Sequence, residues 1–350
     1  MRAEPVPRLA ALATAVPQYD ILQADAAALA RELFADIDYG FERFAPVFEN
    51  AAIERRHSCV PIAWYGQEHA FSARNDLYIE NALALLEQAA REALDEADLE
   101  AEDIDAIVTV SSTGIATPAL DARLMQRMPF RADVQRTPMF GLGCAGGVLG
   151  LARAAAAAKA DPDARVLLLV VELCGLTFRR NDISKSNLVA AALFGDGAAA
   201  AVISCREDGA RLGPWGEHTW PDSLDVMGWD VADDGLKVLF SRDIPSLVRS
   251  DLRAVVDAFL RRHNLRLDQI DGYITHPGGA KVLDALEEAF DLAPGELATA
   301  REALREHGNM SAATVLFILR AALDEGLEGR HLMTTLGPGF TAGFMLVEAQ

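Results

Sequence analysis

The chain has 350 residues, with 32 Lys and Arg against 52 Asp and Glu, which gives a formal net charge of −20 with neutral His. This acidic field repels phosphate backbones and anionic lipids, so we expect no nucleic-acid partner and no role at a membrane surface. Hydrophobic residues at 51% and charged residues at 24% are typical of a globular protein and exclude disorder for most of the chain.

The predicted elements follow the order of an α/β protein. A first strand is predicted over residues 9–16, a helix over 77–94 and a strand over 104–110. The next elements in chain order are a helix over 118–128, a strand ending at Leu142, a helix over 144–160, and apolar strands over 166–173 and 198–203. Strands that are apolar throughout predict a sheet covered by helices on both faces. No run approaches the roughly 18 apolar residues of a membrane span.

The second half of the chain repeats the first in outline. The run IDAIVT at 104–109 recurs as IDGYIT at 270–275, and a Gly-Cys pair before a helix recurs as Gly-Asn at 308–309. These matches predict two similar α/β halves, 1–206 and 207–350, in one body. The alternative is that helix and strand patterns converged. The segment 207–234, with three tryptophans, is predicted to be an ordered loop crossing between the halves.

The four cysteines are widely spaced and include no Cys-x-x-Cys pair. This spacing argues against a zinc site and a dense disulfide framework, and it favours a reducing cytoplasm. Cys144 differs from Cys59, Cys174 and Cys205 because glycines flank it and a predicted helix follows. A helix N-terminus can lower a thiol pKa and can donate N–H groups to an oxyanion. Cys144 is therefore a candidate nucleophile, with a small buried cysteine as the alternative.

Two polar residues in the second half complete a candidate site. His276 follows the repeated strand, at a strand end where α/β proteins gather ligand sites. Asn309 takes the place that Cys144 has in the first half, so a pseudo-two-fold axis would bring both helix starts to one centre. The alternatives are a loop histidine for His276 and a helix N-cap for Asn309.

Five motifs in this order resemble the type III polyketide synthases, the chalcone synthase superfamily of the thiolase fold. They are GLGCAGG at 141–147, LFGDGA at 193–198, HPGG at 276–279, GNMS at 308–311 and GPG at 337–339. The resemblance implies an α/β thiolase fold with two duplicated halves in five αβαβα layers, and Cys144, His276 and Asn309 as the catalytic residues. It also implies acyl-CoA and malonyl-CoA as substrates, no cofactor or metal, and a homodimer.

Within the family, the sequence is most similar to bacterial long-chain alkylpyrone and alkylresorcinol synthases. Phe194 falls on a gatekeeper phenylalanine, and Val238 falls on a second gatekeeper that is Phe in plant enzymes. A smaller residue there would widen the passage for an alkyl chain. Further candidate contacts with the substrate are Cys174, Thr177, Ser311 and Thr117, the last on a position that crosses the plant dimer interface.

The resemblance departs from the family where coenzyme A would bind. Plant enzymes hold its phosphates with basic residues on an early helix, but the matching stretch 47–54 is apolar and acidic. The candidate substitutes are Arg55, Arg56 and Lys281, with Gly278 and Gly279 beside them, and ordinary surface charge is the alternative for each cation. The closing motif also has Thr335 where the family usually has Gly.

The reaction implied is an iterative decarboxylative Claisen condensation followed by cyclisation, with Cys144 and His276 as a thiolate–imidazolium pair. One alternative is a single condensation, as in initiating ketoacyl-ACP synthases, which share Cys-His-Asn. Others are a type III synthase with aromatic or malonyl starters, a papain-type hydrolase and a binding protein without turnover. The His-Pro-Gly-Gly and Gly-Pro-Gly motifs favour the polyketide synthases.

Overall fold

The computed structural model describes residues 4–35, 45–241 and 243–349. The strands of these ranges are β1 (Arg8–Ala15), β2 (Tyr19–Leu22), β3 (Arg55–Ser58), β4 (Ala106–Val110), β5 (Gln135–Met139), β6 (Arg165–Leu173), β7 (Asp196–Ser204), β8 (Ala210–Thr219), β9 (Met227–Ala232), β10 (Gly235–Phe240), β11 (Gly272–Thr275), β12 (Gly329–Gly337) and β13 (Thr341–Ala349). The helices are α1 (Gln23–Leu33), α2 (Ala45–Glu49), α3 (Phe71–Glu96), α4 (Leu120–Leu124), α5 (Gly146–Ala160), α6 (Lys185–Leu193), α7 (Ile244–Leu247), α8 (Arg253–Arg262), α9 (Ala280–Phe290), α10 (Ala298–His307) and α11 (Thr314–Asp324).

One mixed sheet runs through the protein, in the strand order β11-β12-β13-β8-β1-β7-β6-β4-β5. β1 pairs with β7 along its length, but its ladder with β8 consists of Arg8 opposite Arg211 and Leu9 opposite Ala210. This narrow contact joins two sub-sheets, β5-β4-β6-β7-β1 and β8-β13-β12-β11. The hairpin β9-β10 and the pair β2-β3 form separate two-stranded sheets.

The sub-sheets and helices stack in five layers. In β6, Leu167 and Leu169 face α3, whereas Leu168 and Val170 face the central helices α5 and α11. α5 also contacts β13 of the other sub-sheet, whose far side is covered by α8, with Phe259 stacked on Phe344. Continuous apolar strands bury both faces in this arrangement. The predicted five-layered α/β fold is confirmed.

The repeated sequence features occupy corresponding elements. The runs 104–109 and 270–275 end in β4 and β11, the helices after Cys144 and Asn309 are α5 and α11, and β6 corresponds to β12. Each pair was predicted from the sequence. α4 is shorter than the helix expected over 118–128.

The prediction of a loop over 207–234 is wrong. This segment contains β8 and β9, and β8 pairs with β13 inside the sheet. Pro214 lacks an N–H donor, and such a residue normally argues against a central strand. It is tolerated because the ladder with β13 shifts register here: Met345 lies opposite Trp215 and Val347 opposite Leu212, so Gly213 and Pro214 fall in an irregularity of the ladder.

The described ranges contain neither a membrane-spanning helix nor a cluster of metal ligands. No helix there combines the length and apolar character needed to cross a bilayer. No group of three His, Cys, Asp or Glu side chains in the same ranges is arranged to hold a metal ion.

Candidate active site

Cys144 lies in a tight turn that connects β5 to α5. Gly143 has a φ of +46°, and a Cβ there would come within 2.6 Å of Pro338, so this turn requires glycine. The helix begins at Gly146, two residues after the cysteine. The buried Cys144 side chain therefore lies at the positive end of the α5 dipole.

Strand β12 holds Cys144 and His276 next to each other. Thr335 Oγ1 donates to the carbonyl oxygen of Cys144 at 2.6 Å, and the carbonyl of Thr334 accepts from the amide of His276 at 2.9 Å. Consecutive residues of one strand thus fix both backbones. Thr335, which departs from the family motif, supplies one of these bonds.

The side-chain amide of Asn309 is oriented by two further bonds. Ser311 donates its backbone N–H to Asn309 Oδ1 at 2.8 Å, and Asn309 Nδ2 donates to the carbonyl of Gly278 at 3.0 Å. Gly278 is two residues beyond His276, and the Ser311 hydroxyl hydrogen-bonds the thiol of Cys144. The contacts close a ring through Cys144, His276 and Asn309, and the second Nδ2 hydrogen of the amide remains a donor for a ligand.

Both ring nitrogens of His276 are buried and have no hydrogen-bond partner in the described part of the chain. Buried polar atoms are nearly always paired, so these nitrogens indicate a place for a ligand. Burial lowers the pKa of His276 to about 3 and raises the pKa of Cys144 to about 12. Burial thus works against the charged forms of both groups, because each loses hydration, and the ion pair of Cys144 and His276 stays a prediction.

Glu172 is a buried carboxyl beside Cys144 that the sequence analysis missed. It accepts from the backbone N–H of Ser112 at 3.0 Å, the hydroxyl of Thr113 at 2.9 Å and the hydroxyl of Ser311 at 3.3 Å. Burial raises its pKa to about 7. The available signal was a single carboxylate within the otherwise apolar strand β6.

A Glu172→Gln variant should differ from the parent in the pH dependence of stability. Burial raises the pKa of Glu172 from 4.5 to about 7. The contribution of protonated Glu172 to the free energy of unfolding is therefore fully present below about pH 4.5, and it is lost as the pH rises through about 7. As the pH rises from about 5 to about 8, we expect the free energy of unfolding of the parent to fall by on the order of 2 kcal/mol more than that of the variant.

Urea unfolding of both proteins at several pH values measures this difference. Glu87→Gln, on the outer surface of α3, is the matched control and should follow the parent. Parallel curves for Glu172→Gln and the parent would contradict the raised pKa of Glu172.

An apolar cavity, partly open to solvent, lies next to the polar centre formed by Cys144, His276 and Asn309, although these three residues are not among its lining residues. Its wall contains four residues predicted to line the substrate passage, namely Cys174, Thr177, Phe194 and Val238. β2 and α1, which the prediction did not include, add Ile21, Ala26, Leu29, Ala30 and Leu33. The backbone of Phe194 forms a bridge with Asn309, which links this wall to the polar centre.

The two remaining predicted substrate contacts lie elsewhere. Ser311 is buried between Asn309 and Glu172, at the polar centre and not in the cavity wall. Thr117 is exposed on the connection from β4 to α4, away from the cavity residues. The contact of Thr117 with substrate across a dimer interface stays a prediction.

Arg56 is not placed to bind a phosphate. Its guanidinium is buried and donates to the carbonyl oxygens of Ala191 at 2.6 Å, Ala192 at 3.0 Å and Phe194 at 3.2 Å, at the end of α6. It also donates to the side chain of Gln23. We therefore remove Arg56 from the candidate coenzyme A contacts, since its donors already satisfy the helix end.

The other predicted coenzyme A contacts are accessible. Arg55 is 44% exposed and pairs with Glu306 at 2.7 Å. Lys281 is exposed in the first turn of α9, directly after Gly278 and Gly279. Arg55 and Lys281 are thus the cations that remain available to a phosphate group.

We expect Arg56→Ala to lower the free energy of unfolding by about 3 kcal/mol, because it leaves buried carbonyl groups without donors. Arg55→Ala, the matched surface change, should cost less than about 1 kcal/mol. Chemical denaturation measures both effects. The KM for malonyl-CoA should be unchanged in folded Arg56→Ala, and a raised KM with full stability would restore Arg56 as a phosphate contact.

Comparison with known families agrees with this geometry. Residues 59–207 match the family described as chalcone and stilbene synthases, N-terminal domain, and residues 217–349 match the C-terminal domain of the same family. The chain belongs to the chalcone and stilbene synthase family. The resemblance drawn from its five motifs is confirmed.

Bacterial relatives cover nearly the whole chain. A putative chalcone synthase of Bacillus subtilis (strain 168) is 41% identical over 353 residues, covering 96% of each chain. A 1,3,6,8-tetrahydroxynaphthalene synthase of Streptomyces peucetius subsp. caesius is 40% identical over 97% of this chain and 92% of the relative. The crystal structure of the Streptomyces coelicolor A3(2) tetrahydroxynaphthalene synthase, a bacterial type III polyketide synthase, has a TM-score of 0.94 at 32% identity. It covers 98% of this chain and 99% of that one.

These findings identify the enzyme class. The protein is a type III polyketide synthase, an acyltransferase that catalyses decarboxylative Claisen condensation. The thiolase fold expected from the motifs agrees with these solved structures.

Proposed function

We propose that this type III polyketide synthase extends a fatty acyl-CoA starter with malonyl-CoA and cyclises the product to an alkylpyrone or an alkylresorcinol. The observation that carries the proposal is the cavity next to the polar centre. Its α1 wall is aliphatic, its Val238 position is small, and Phe194 in its wall forms a bridge with Asn309. Burying an alkyl chain there removes apolar surface from water.

Cys144 attacks the acyl-CoA carbonyl, and His276 accepts the thiol proton and returns it to the departing coenzyme A thiolate. This route starts from the thiol and neutral imidazole that burial favours. His276 and the Asn309 amide then donate to the thioester oxygen of malonyl-CoA, which stabilises the enolate formed as CO₂ leaves. The enolate attacks the acyl-Cys144 thioester and expels the Cys144 thiolate. The resulting β-ketoacyl-CoA is then attacked by this thiolate, which releases coenzyme A and reloads the chain on Cys144 for another round. The cycle needs no metal or organic cofactor.

A second candidate is a synthase that uses malonyl-CoA as both starter and extender. Relatives that are 40% and 34% identical are named 1,3,6,8-tetrahydroxynaphthalene synthases, and a relative that is 29% identical is named phloroglucinol synthase. The aliphatic wall contributed by α1 favours the alkyl starter over this alternative, since a polar polyketide gains little from burial against leucine.

We also propose a homodimer, with the face around Thr117 as its interface. Ile115 is 48% exposed and Phe140 is 60% exposed, and both lie near β5, the last strand of the sheet order. An open sheet edge with exposed apolar side chains favours a second copy of the chain. A cytoplasmic location is supported by the four cysteines, which are free thiols.

Mass spectrometry of the products from malonyl-CoA with a ladder of starters, from acetyl-CoA to long-chain acyl-CoA, tests the starter. Pyrones or resorcinols that carry the long alkyl chain would support the proposal. Products from malonyl-CoA alone would favour the second candidate. A lone β-ketoacyl thioester would instead indicate a single condensation.

A further inference from the structure

The interior cavity and a surface groove lie on either side of the aromatic pair Tyr65 and Phe178, and this arrangement indicates where the cavity ends. The interior cavity has Tyr65 and Phe178 in its wall, and the same two residues line an open groove at the surface. The groove is open to solvent and is also lined by Trp64 and by two ion pairs, Arg179 with Asp234 and Arg180 with Glu68. The Tyr65 and Phe178 rings thus form the partition between an apolar interior and a solvent-open groove.

Phe178 is the centre of this partition. Its ring meets the ring of Phe34 edge-on at 6.2 Å between centroids and the ring of Tyr65 edge-on at 5.9 Å. Phe34 is buried at 1% exposure and belongs to the apolar cluster of α1, α2 and α6. Edge-to-face contacts of this kind stabilise a definite ring position.

The backbone at Phe178 is held from both sides. Its carbonyl accepts from the guanidinium of Arg74 at 3.1 Å, and its N–H donates to Gly175 at 3.2 Å. The carbonyl of the next residue, Arg179, accepts from the side chain of Asn187 at 2.8 Å. These bonds keep the Phe178 ring at the partition.

We propose that Phe178 is the end wall of the acyl-chain cavity and sets the longest alkyl chain that the enzyme holds. This inference rests on the proposed function for the nature of the chain. A chain that stops short of Phe178 lies among apolar side chains, whereas additional methylenes would have to pass the ring into the solvent-open groove, where they would not be buried. Affinity should therefore rise with chain length only as far as this wall.

Binding of saturated fatty acids, from hexanoate to eicosanoate, to the full-length protein tests the wall without requiring turnover. Displacement of a fluorescent fatty acid gives each dissociation constant. Affinity should increase by up to about fourfold per methylene until the chain reaches Phe178, and then level off. We call the chain length at which affinity levels off the break. Phe178→Ala should move the break to longer chains, and Phe178→Trp should move it to shorter ones.

Tyr273→Phe is the matched control, because it removes a hydroxyl and keeps a ring that stacks on Phe290, outside the linings of both the cavity and the groove, and its break should equal that of the parent. Phe178→Leu is a milder variant in case Phe178→Ala does not fold, and it should move the break in the same direction. The same break in the parent and the folded Phe178 variants, or affinity without chain-length dependence, would overturn the inference.

The binding experiment tests the end wall and the product assay tests the fatty acyl starter, so each proposal can be refuted without the other. A break that moves with Phe178, together with products made from malonyl-CoA alone, would support the end wall and refute the fatty acyl starter. Long-chain products with an unmoved break would do the reverse.

Discussion

Cys144→Ala is expected to lower the formation of chain-extended product by at least about 10⁴-fold, because no acyl-enzyme can form without the thiol. The side chain is buried at the start of α5, so alanine fills most of its place and the fold should be retained. Liquid chromatography with mass spectrometry of the products, after incubation with a starter and malonyl-CoA, measures the loss. Intact-protein mass spectrometry should show an acyl adduct on the parent and none on the variant.

Cys205→Ala is the matched control for this change. Cys205 is partly exposed, and its thiol donates to the carbonyl of Ala158 at the end of α5, away from the site. It should leave both the adduct and the products unchanged. The Cys144→Ala protein should still convert malonyl-CoA to acetyl-CoA, because His276 and Asn309 remain. Chain-extended product from Cys144→Ala would contradict the covalent mechanism.

Asn309→Ala should lower the rate of malonyl-CoA decarboxylation by about 10²- to 10³-fold, the usual effect of losing one donor to a developing oxyanion. Starter loading on Cys144 should be much less affected, because the thiol and His276 remain. CO₂ release from labelled malonyl-CoA measures the first step, and the burst of free coenzyme A with a starter alone measures the second.

Asn309→Asp distinguishes the role of the Asn309 amide as a hydrogen-bond donor from its structural role as an acceptor. The aspartate keeps an oxygen that can accept from the N–H of Ser311, but it offers no amide donor, so it should lose decarboxylation as the alanine variant does. Asn81→Ala removes a side-chain amide that bonds within α3 and should leave both steps unchanged. Full decarboxylation by Asn309→Asp would refute the donor role of the amide.

Much of the fold could be predicted because its signals are local. The apolar strand 166–173 corresponds to β6, and the glycine-flanked Cys144 does precede a helix, as predicted. β8 was missed because Gly213 and Pro214 are typical of loops, and the strand accommodates them because its ladder with β13 shifts register at these two residues. Information of that kind lies in the partner strands and not in the segment itself.

The order of α/β elements, the duplication and the family can be recognised from the sequence, because five motifs and a repeat are visible without any knowledge of contacts. The motifs also contain Cys144, His276 and Asn309, whose backbones and neighbours the structure links through Thr334, Thr335 and Gly278. The sequence could not show that Arg56 is buried at the end of α6. An arginine on the surface and an arginine that donates to the carbonyls of a helix end cannot be distinguished by residue type.

The electrostatics and the shape of the site follow from the tertiary structure. The pKa of Glu172 rises to about 7 because the fold buries it, and burial likewise raises the pKa of Cys144 and lowers that of His276. The cavity draws its wall from α1, α6 and β10, which are far apart in the chain. Desolvation and cavity shape depend on which distant segments meet, and this is why they could not be predicted from the sequence.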